Sequence, residues 1–406
     1  MTTSHWQRSN RLGTLACDVA VIGAGICGIS AALHLQRRGL SVRVVERGVV
    51  GGVGSGASAR NAGFLMRGCA DNYADAIQQY GRAKAAMLWR LTERNLEGLR
   101  REGIDSLPAT QRVPSVLLAL GEQELGRLRE SLTLMHEDGF DAQWWDAATN
   151  PRDAAWISLS GSAKTLGALV NPHDGATNSV HALRMLSAKL LCPVHEQQEV
   201  HAIEQHGTGV RVHVTDGELL ARKVLVCTNA YAPLLLPGLA PLVAPKRGQM
   251  LAIRPGVFQL AASYYANFGS EYFRQTWDGS VVVGGCRTYH AEKETGYEDR
   301  VTPWVQDDLE RFTRDVLGEF SRSDITARWS GVMGFTPHHL PIITRCSGEN
   351  AAASHASRDG AGDVKSEHVW FCGGFTGHGM SMAYEVSRLA IAEMLDGIES
   401  GFGLPA

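Results

Sequence analysis

The chain has 406 residues, of which 44% are apolar and 20% charged, a composition typical of a globular enzyme. A chain of this length can bury a large core without disulfides or structural metals. Its formal net charge of -3 excludes the basic surface that nucleic-acid-binding proteins carry, so no nucleic-acid partner is predicted.

The eight cysteines are scattered, and none forms the C-x-x-C pair of a zinc or redox site. Most lie in apolar runs, which predicts buried, reduced thiols in a cytoplasmic protein. The apolar stretch 15–33 resembles a signal peptide, but Asp18 interrupts it and no long apolar run follows. We therefore expect no export signal, no transmembrane segment and no metal site.

The first predicted elements are a strand, a glycine-rich turn, a helix and a second strand. Residues 16–22 (ACDVAVI) predict a buried strand, and the G-x-G-x-x-G spacing of Gly23, Gly25 and Gly28 follows directly. Glu46 lies at the end of the second strand, SVRVVER. Together these features form a dinucleotide-binding fingerprint. We expect the pyrophosphate at the helix N-terminus and the adenosine ribose at Glu46.

Farther along the chain, helical and strand-rich segments alternate. Helices are predicted over 70–104, 121–138 and 303–320, and short strands over 115–120, 197–228 and 248–285. Asp278 and Gly279 predict a hairpin turn, and residues 346–367 predict a surface loop. The last segment repeats the strand, glycine-rich turn and helix of the N-terminus. This order predicts a nucleotide-binding fold that is interrupted by a β-rich insertion and completed by the C-terminal segment.

Seven segments along residues 16–395 carry a resemblance to a known family. They are VIGAGICG, GASARNAGF, CTNAYAP, PKRGQM, YFRQTWDGSVVVGG, WSGVMGFTPHHLPII and GGFTGHGMSMA. In this order they resemble the D-amino-acid-oxidase-like FAD oxidoreductases, which include glycine oxidase, monomeric sarcosine oxidase and gamma-glutamylputrescine oxidases. The segment GASARNAG is most similar to the gamma-glutamylputrescine oxidase branch.

The resemblance implies an α/β fold with a Rossmann-like FAD-binding domain of the glutathione-reductase type and an inserted antiparallel β-sheet substrate domain. We expect a discontinuous FAD-binding domain over 14–90, 155–245 and 326–400. The substrate domain is expected over 91–154 and 246–325.

The resemblance also implies tightly bound FAD and a small amine or amino-acid substrate, with O2 or another electron acceptor. A C–N bond is oxidised when the carbon loses a hydride to flavin N5, and water hydrolyses the resulting imine. The positions matching the family's cofactor-binding segments are Gly23, Gly25, Ile26, Cys27 and Gly28 (pyrophosphate), Glu46 and Arg47 (adenosine), Ser58, Ala59, Arg60, Asn61, Ala62 and Gly63 (flavin and phosphates), Val200 (adenine), and Gly374, Phe375, Gly377, His378, Gly379 and Met380 (flavin pyrimidine).

Two positions bear on how the flavin is attached. Relatives with covalent flavin use a cysteine near GVMGFTP or a histidine near SARNAG, and this chain has Gly331 and Arg60 there. We therefore expect non-covalent FAD. Two roles are open for Arg60: it compensates FAD phosphates or faces the substrate, or it binds a carboxylate or carbonyl of the protein core.

Met333 stands where amino-acid oxidases of this family hold the substrate carboxylate with an arginine. A thioether cannot pair with a carboxylate. Either the acid group is bound elsewhere, or the substrate is an amine without an α-carboxylate.

Three further residues complete the candidate catalytic set with Met333. Tyr272 and Arg274 share one face of a predicted strand, so Arg274 is a candidate for an anionic end of the substrate. His378, between two glycines of the flavin turn, is a candidate for donation to the flavin or for proton transfer.

Three functions agree with these residues. The first is an FAD-dependent amine or amino-acid oxidoreductase. The second is a flavin dehydrogenase that acts on an aminophosphonate or alcohol and passes electrons to a quinone or carrier protein. The third is a flavin-binding protein without turnover.

Overall fold

The computed structural model describes residues 12–145, 161, 163–346 and 367–403. One sheet is built around parallel strands in the order β18-β11-β1-β2-β8. These strands are β1 (Gly13–Ile22), β2 (Val42–Val45), β8 (Val194–His195), β11 (Gly217–Val226) and β18 (Val369–Gly373). The C-terminal half of β1 is continuously buried, as expected for a parallel strand covered on both faces.

Three further strands extend this sheet with antiparallel pairing: β9 (Val200–His206), β10 (Gly209–Val214) and β17 (Ile342–Arg345). Helices cover it: α1 (Ile26–Arg37) packs on α8 (Gly379–Asp396), and α8 packs on α3 (Arg82–Arg101). The first and last parts of the chain therefore share one core, as predicted from the repeated strand, turn and helix.

A second eight-stranded sheet has the order β16-β12-β15-β14-β13-β4-β6-β5. Its strands are β4 (Ser115–Ala119), β5 (Gln143–Trp145), β6 (Gly167–Asn171), β12 (Ala244–Ile253), β13 (Ser263–Ala266), β14 (Glu271–Gln275), β15 (Val281–Gly284) and β16 (Ile325–Phe335). Neighbours pair antiparallel except β4 and β13, which are parallel. The sheet is therefore mixed at one step, where the sequence predicted only antiparallel strands.

The remaining elements are short or flank the two sheets. They are β3 (Phe64–Leu65), β7 (Gly175–Ala176), α2 (Tyr73–Tyr80), α4 (Glu122–Glu137), α5 (Ser179–Ser187), α6 (Ala232–Leu235) and α7 (Pro303–Leu317). Among the described residues, no helix combines the length and apolar character needed to cross a membrane.

Most predicted elements are present, with two local differences. The helix predicted over 70–104 is divided into α2 and α3 at Gly81, whose φ of +83° ends the first helix. The hairpin turn predicted at Asp278 and Gly279 is confirmed, because it joins β14 to β15 with Gly279 at φ +85°. The surface loop predicted over 346–367 lies almost wholly outside the described residues.

The predicted domain boundaries need correction at two strands. β6 and β16 belong to the second sheet, although the sequence placed 155–245 and 326–400 in the FAD-binding domain. β16 is the longest strand of the second sheet and pairs with β12 from Ala244 to Ile253. The sequence obscured it because Gly331 and Gly334 interrupt its apolar alternation.

Candidate active site

Two adjoining cavities lie at the boundary between the two sheets. The larger, called the main cavity, has a volume of about 530 Å³, and the smaller, called the adenosine-side cavity, about 330 Å³. They share Gly25, Ala57, Ser58, Cys227 and Asn229 as wall residues. The two cavities therefore lie side by side at the glycine-rich turn.

The adenosine-side cavity lies at the carboxyl ends of β1 and β2, where an α/β sheet binds nucleotides. Glu46 lines it, and its carboxylate accepts from the amides of Ala24 at 2.8 Å and Gly48 at 2.8 Å. The Arg47 guanidinium lies 4.2 Å from the centre of the Tyr231 ring. Val200 lines the same cavity, as its predicted adenine contact requires.

Close packing of the first turn explains its glycines. A Cβ atom on Gly28 would lie 1.8 Å from the carbonyl oxygen of Gly23, so α1 approaches β1 only because residue 28 is glycine. Gly23 has a φ of +99°, which side-chain-bearing residues rarely adopt. The amide of Ile26, in the first turn of α1, bonds the Ser58 hydroxyl at 3.0 Å. The turn and the segment around Ser58 therefore form one rigid wall.

The segment from Gly54 to Gly63 is held by its own asparagine. The Asn61 side chain donates to the carbonyls of Ala57 and Ser58 and accepts from the amide of Gly63. Gly63 has a φ of +76°, and a Cβ there would lie 1.9 Å from the carbonyl oxygen of Thr177. This stretch is thus a fixed part of the cavity wall, made of small residues because neighbouring backbone is close.

Arg60 braces the wall of the main cavity. Its guanidinium pairs with Asp299 at 2.7 Å and donates to the carbonyls of Ser55 and Ser330. A Cβ on Gly331 would lie 3.1 Å from the Arg60 Cβ, so the two positions of possible covalent attachment face each other. Of the two roles considered for Arg60, the bonding to protein acceptors favours the structural one.

The C-terminal glycine-rich turn closes the other end of the main cavity. Phe375, Gly377, Gly379 and Met380 line it together with His378. His378 precedes the first residue of α8, and its Nδ1 lies 3.0 Å from the carbonyl oxygen of Thr376. Burial lowers the pKa of His378, which favours a neutral imidazole that donates to this carbonyl. The N-terminus of α8 therefore presents its positive dipole end to the cavity.

Three predicted cofactor residues are absent from the described walls of both cavities: Gly28, Ala59 and Gly374. Gly28 instead allows α1 to pack closely against the Gly23 carbonyl. The amide of Gly374 bonds the Asn229 side chain at 2.8 Å, which fixes the turn from behind. Ala59 lies within a short 3-10 turn between two wall residues.

Arg274 does not line either cavity, contrary to the expectation that it binds an anionic substrate end. Its guanidinium donates to three backbone carbonyls, those of Ala62, Thr177 and Gln275. The period-two pattern correctly put Arg274 on the face of Tyr272, but the segment around Ala62 covers this face. Arg274 therefore ties β14 to the cofactor-side segment.

Aromatic and sulfur-containing side chains form the sheet-side wall of the main cavity. Tyr265 and Tyr272 are cross-strand partners on β13 and β14, and both pack edge-on against Phe64. Met250 and Met333 line the same cavity from β12 and β16. Burial raises the pKa of Tyr272 to about 12, so its hydroxyl stays protonated and can donate.

Three ionisable wall residues were not predicted from the sequence as site residues: Asp71, Arg287 and His339. His339 lies 3.6 Å from the Asp71 carboxylate, and this pairing raises the pKa of the imidazole. The Tyr80 hydroxyl donates to Asp71 at 3.1 Å. Arg287 could have been found from the predicted hairpin. Pairing of β14 with β15 puts Gly284 opposite Tyr272, so the residues after Gly284 lie close to Tyr272.

Three buried thiols meet beneath the shared wall. The Cys27 sulfur lies 3.6 Å from that of Cys227 and 3.5 Å from that of Cys372. All three are free cysteines, as the sequence predicted. Small, polarizable side chains allow α1, β11 and β18 to converge under the glycine-rich turn.

Comparison with known proteins identifies the family to which the chain belongs. Residues 18–393 match the family model of the DAO FAD dependent oxidoreductases. The chain belongs to this family. FAD is therefore its cofactor, and the two adjoining cavities, with an acid at one end and a helix N-terminus at the other, suit an extended dinucleotide.

Individual relatives extend over most of the chain. Gamma-glutamylputrescine oxidoreductase of Escherichia coli (strain K12) is 26% identical over 399 residues, which are 95% of this chain and 84% of that protein. Two crystal structures show the same fold. Glycine oxidase from Geobacillus kaustophilus has a TM-score of 0.72 at 22% identity, with 96% of this chain and 97% of that chain covered. L-proline dehydrogenase from P. horikoshii has a TM-score of 0.73 at 18% identity, with coverage of 96% and 95%.

Proposed function

We propose that this protein oxidises the C–N bond of an amine or amino acid, with FAD bound non-covalently across the two cavities. The observation that carries the proposal is the wall shared by the adenosine-side cavity and an aromatic-lined main cavity, in a chain of the DAO family. The relatives named gamma-glutamylputrescine oxidoreductase and glycine oxidase support an amine or amino-acid substrate.

In the proposal, the chain holds FAD mainly through backbone and small side chains. Glu46 accepts hydrogen bonds from ribose, Val200 lies against the adenine, and the turn from Gly23 to Gly28 places the N-terminus of α1 at the pyrophosphate. The N-terminus of α8, beside neutral His378, stabilises negative charge at the facing edge of the cofactor.

When bound, FAD supplies the electron acceptor for a hydride from the substrate carbon next to nitrogen. The chain's own contribution is to orient the substrate and exclude water. Tyr265, Tyr272, Phe64 and Met250 form a largely apolar wall, which favours binding of the neutral amine over the charged ammonium. The Tyr272 hydroxyl remains a donor for substrate oxygen or nitrogen.

Non-covalent attachment is supported by the two residues that face each other beside the cavity. Neither the guanidinium of Arg60, occupied by Asp299, nor Gly331 offers a nucleophile for a flavin carbon. Acid denaturation should release all of the yellow cofactor into the supernatant. Colour that stays with the precipitated protein would show covalent attachment.

The test of the function is anaerobic mixing of the holoenzyme with amines, amino acids, aminophosphonates and alcohols, while the visible flavin absorbance is followed. We expect amines or amino acids to bleach the flavin and simple alcohols to leave it oxidised. Bleaching by alcohols alone would favour the dehydrogenase alternative, and no bleaching by any compound would favour a protein without turnover. Reoxidation by air then separates an oxidase, which reacts rapidly, from an enzyme that needs a quinone or carrier.

A further inference from the structure

We infer that Arg287 binds an acid group of the substrate, a carboxylate or phosphonate that is separated from the oxidised carbon by several bonds. The inference rests on the proposed function, because it concerns the sheet-side wall of the main cavity. Arg287 follows β15 and lines the main cavity, and Cys286 before it has a φ of +56°. Tyr272, on the neighbouring strand, is one of its electrostatic neighbours.

Arg287 is a cation in the wall of the main cavity. Across residues 12–145, 161, 163–346 and 367–403, none hydrogen-bonds or ion-pairs with its guanidinium, which lies 4.6 Å from the centre of the Phe335 ring. Arg287 is half-buried, and burial lowers its pKa although Tyr272 and Glu294 oppose this shift. A guanidinium has five N–H donors in a planar fork that matches a carboxylate or phosphonate. An anion in the cavity would therefore supply the acceptor that the described residues do not.

Three other arginines near the main cavity bond to acceptors of the protein itself. Arg60 pairs with Asp299, Arg247 pairs with Glu294, and Arg274 donates to three carbonyls. Like the Arg287 guanidinium, the Tyr272 hydroxyl has no hydrogen-bond partner among the described residues. Arg287 and Tyr272 are thus two neighbouring donors in the wall that a substrate anion could engage together.

The position of Arg287 also sets where the acid group lies. Along β16, Gly331 is beside Arg60 on the cofactor side, Met333 comes next, and Phe335 follows. Two residues of a strand span about 7 Å. Because the Arg287 guanidinium lies over the Phe335 ring, the acid group it binds would lie on the Phe335 side of Met333, away from Gly331. The substrate would then be an amine whose acid group is bound away from Met333 and lies farther from the amine than an α-carboxylate does.

Binding of amine-free acids tests the inference directly. Oxidised holoenzyme is titrated with straight-chain carboxylates and, separately, alkylphosphonates, while the change in the visible flavin spectrum is recorded. We expect Arg287→Gln to weaken binding of both acids about 10- to 100-fold, the range for a lost charge-assisted hydrogen bond. Arg287→Lys should retain part of the affinity, because it keeps the charge but loses the fork. The matched control Arg222→Gln alters an exposed arginine on β11 that pairs with Asp18, and should leave affinity unchanged.

The chain length of the substrate gives a second measurement. Anaerobic flavin reduction is compared for straight-chain acids that carry a terminal primary amine and for alkylamines of the same length. In the unaltered protein, the amino acids should reduce the flavin faster than alkylamines of the same length. This rate advantage should appear only as the chain between amine and acid lengthens. Arg287→Gln or Arg287→Lys should reduce that rate advantage, whereas the control Arg222→Gln should leave it unchanged.

The outcomes separate the inference from the proposed function. Equal acid binding in the unaltered protein and in Arg287→Gln, or no acid binding in the unaltered protein, overturns the inference while the oxidase function stands. Acid binding that depends on Arg287, in a protein whose flavin no amine reduces, supports the anion site and contradicts the function. If Arg287→Gln does not fold, Arg287→Lys carries the same comparison.

Discussion

The buried pair of Arg247 and Glu294 gives a stability prediction that does not depend on the cofactor. Their side chains are 2% and 0% exposed, and Arg247 Nε lies 2.7 Å from the Glu294 carboxylate. Arg247 also donates to the carbonyls of Lys293 and Glu298, so it fixes the loop between β15 and α7 against β12. Removing one partner of a buried ion pair leaves an uncompensated charge and costs about 3–5 kcal/mol.

We therefore expect Arg247→Met to lower the free energy of unfolding by about 3–5 kcal/mol near neutral pH. Gln249, Thr302 and Trp304 still donate to Glu294, which places the loss toward the lower end of that range. Urea unfolding followed by tryptophan fluorescence measures it. The control is Lys246→Met on the same strand, whose exposed amine bonds the Thr295 hydroxyl and no other described residue, with an expected change within about 0.5 kcal/mol.

Acid pH should reduce the effect of Arg247→Met. Arg247 and its neighbours hold the pKa of Glu294 below its usual value, so the pair stabilises the fold at pH above the unfolded pKa. That contribution is lost as pH falls through the folded pKa. A loss below about 1 kcal/mol at neutral pH, or a loss equal to that of Lys246→Met, would refute the reasoning.

Three further predictions concern cofactor and pH. Arg60→Ala should weaken FAD binding through loss of its bonds to Asp299 and to two carbonyls, with little change in the order of preferred substrates, as measured by FAD titration and anaerobic reduction. Glu46→Gln should lower FAD affinity about 10-fold, because a neutral amide is a weaker hydrogen-bond acceptor than a carboxylate. An unchanged affinity would show that Glu46 does not bind the ribose. Burial raises the pKa of Asp174 from 3.8 to about 7, so this group's contribution to stability is complete below the unfolded pKa and is lost as pH rises toward 7. Asp174→Asn should abolish that loss in urea unfolding compared at about pH 5 and pH 8.

The parts of the site that depend on local sequence were predictable. The G-x-G-x-x-G turn and Glu46 lie within one βαβ unit, and their chemistry is fixed by a few neighbouring residues. The aromatic position of Tyr272 also followed from strand periodicity. These signals act over short distances, so one sequence contains them in full.

The parts of the site that depend on contacts between distant segments could not be predicted from the sequence. Arg274 was assigned to the substrate because the pattern showed its face but not the backbone of Ala62 and Thr177 that covers this face. Arg287 was missed because its place in the cavity depends on the pairing of β14, β15 and β12. Which arginine reaches the substrate is decided by which carbonyls and carboxylates are already near it, and these come from remote positions in the chain.

The most direct test of the central claim is a single anaerobic turnover with product analysis. Holoenzyme is mixed with an amine that bleaches its flavin, and the carbonyl compound and released nitrogen product are quantified against the flavin reduced. Oxidation of a C–N bond predicts equal amounts of all three. A flavin that is bleached without release of either product, or that no amine or amino acid bleaches, would contradict the account.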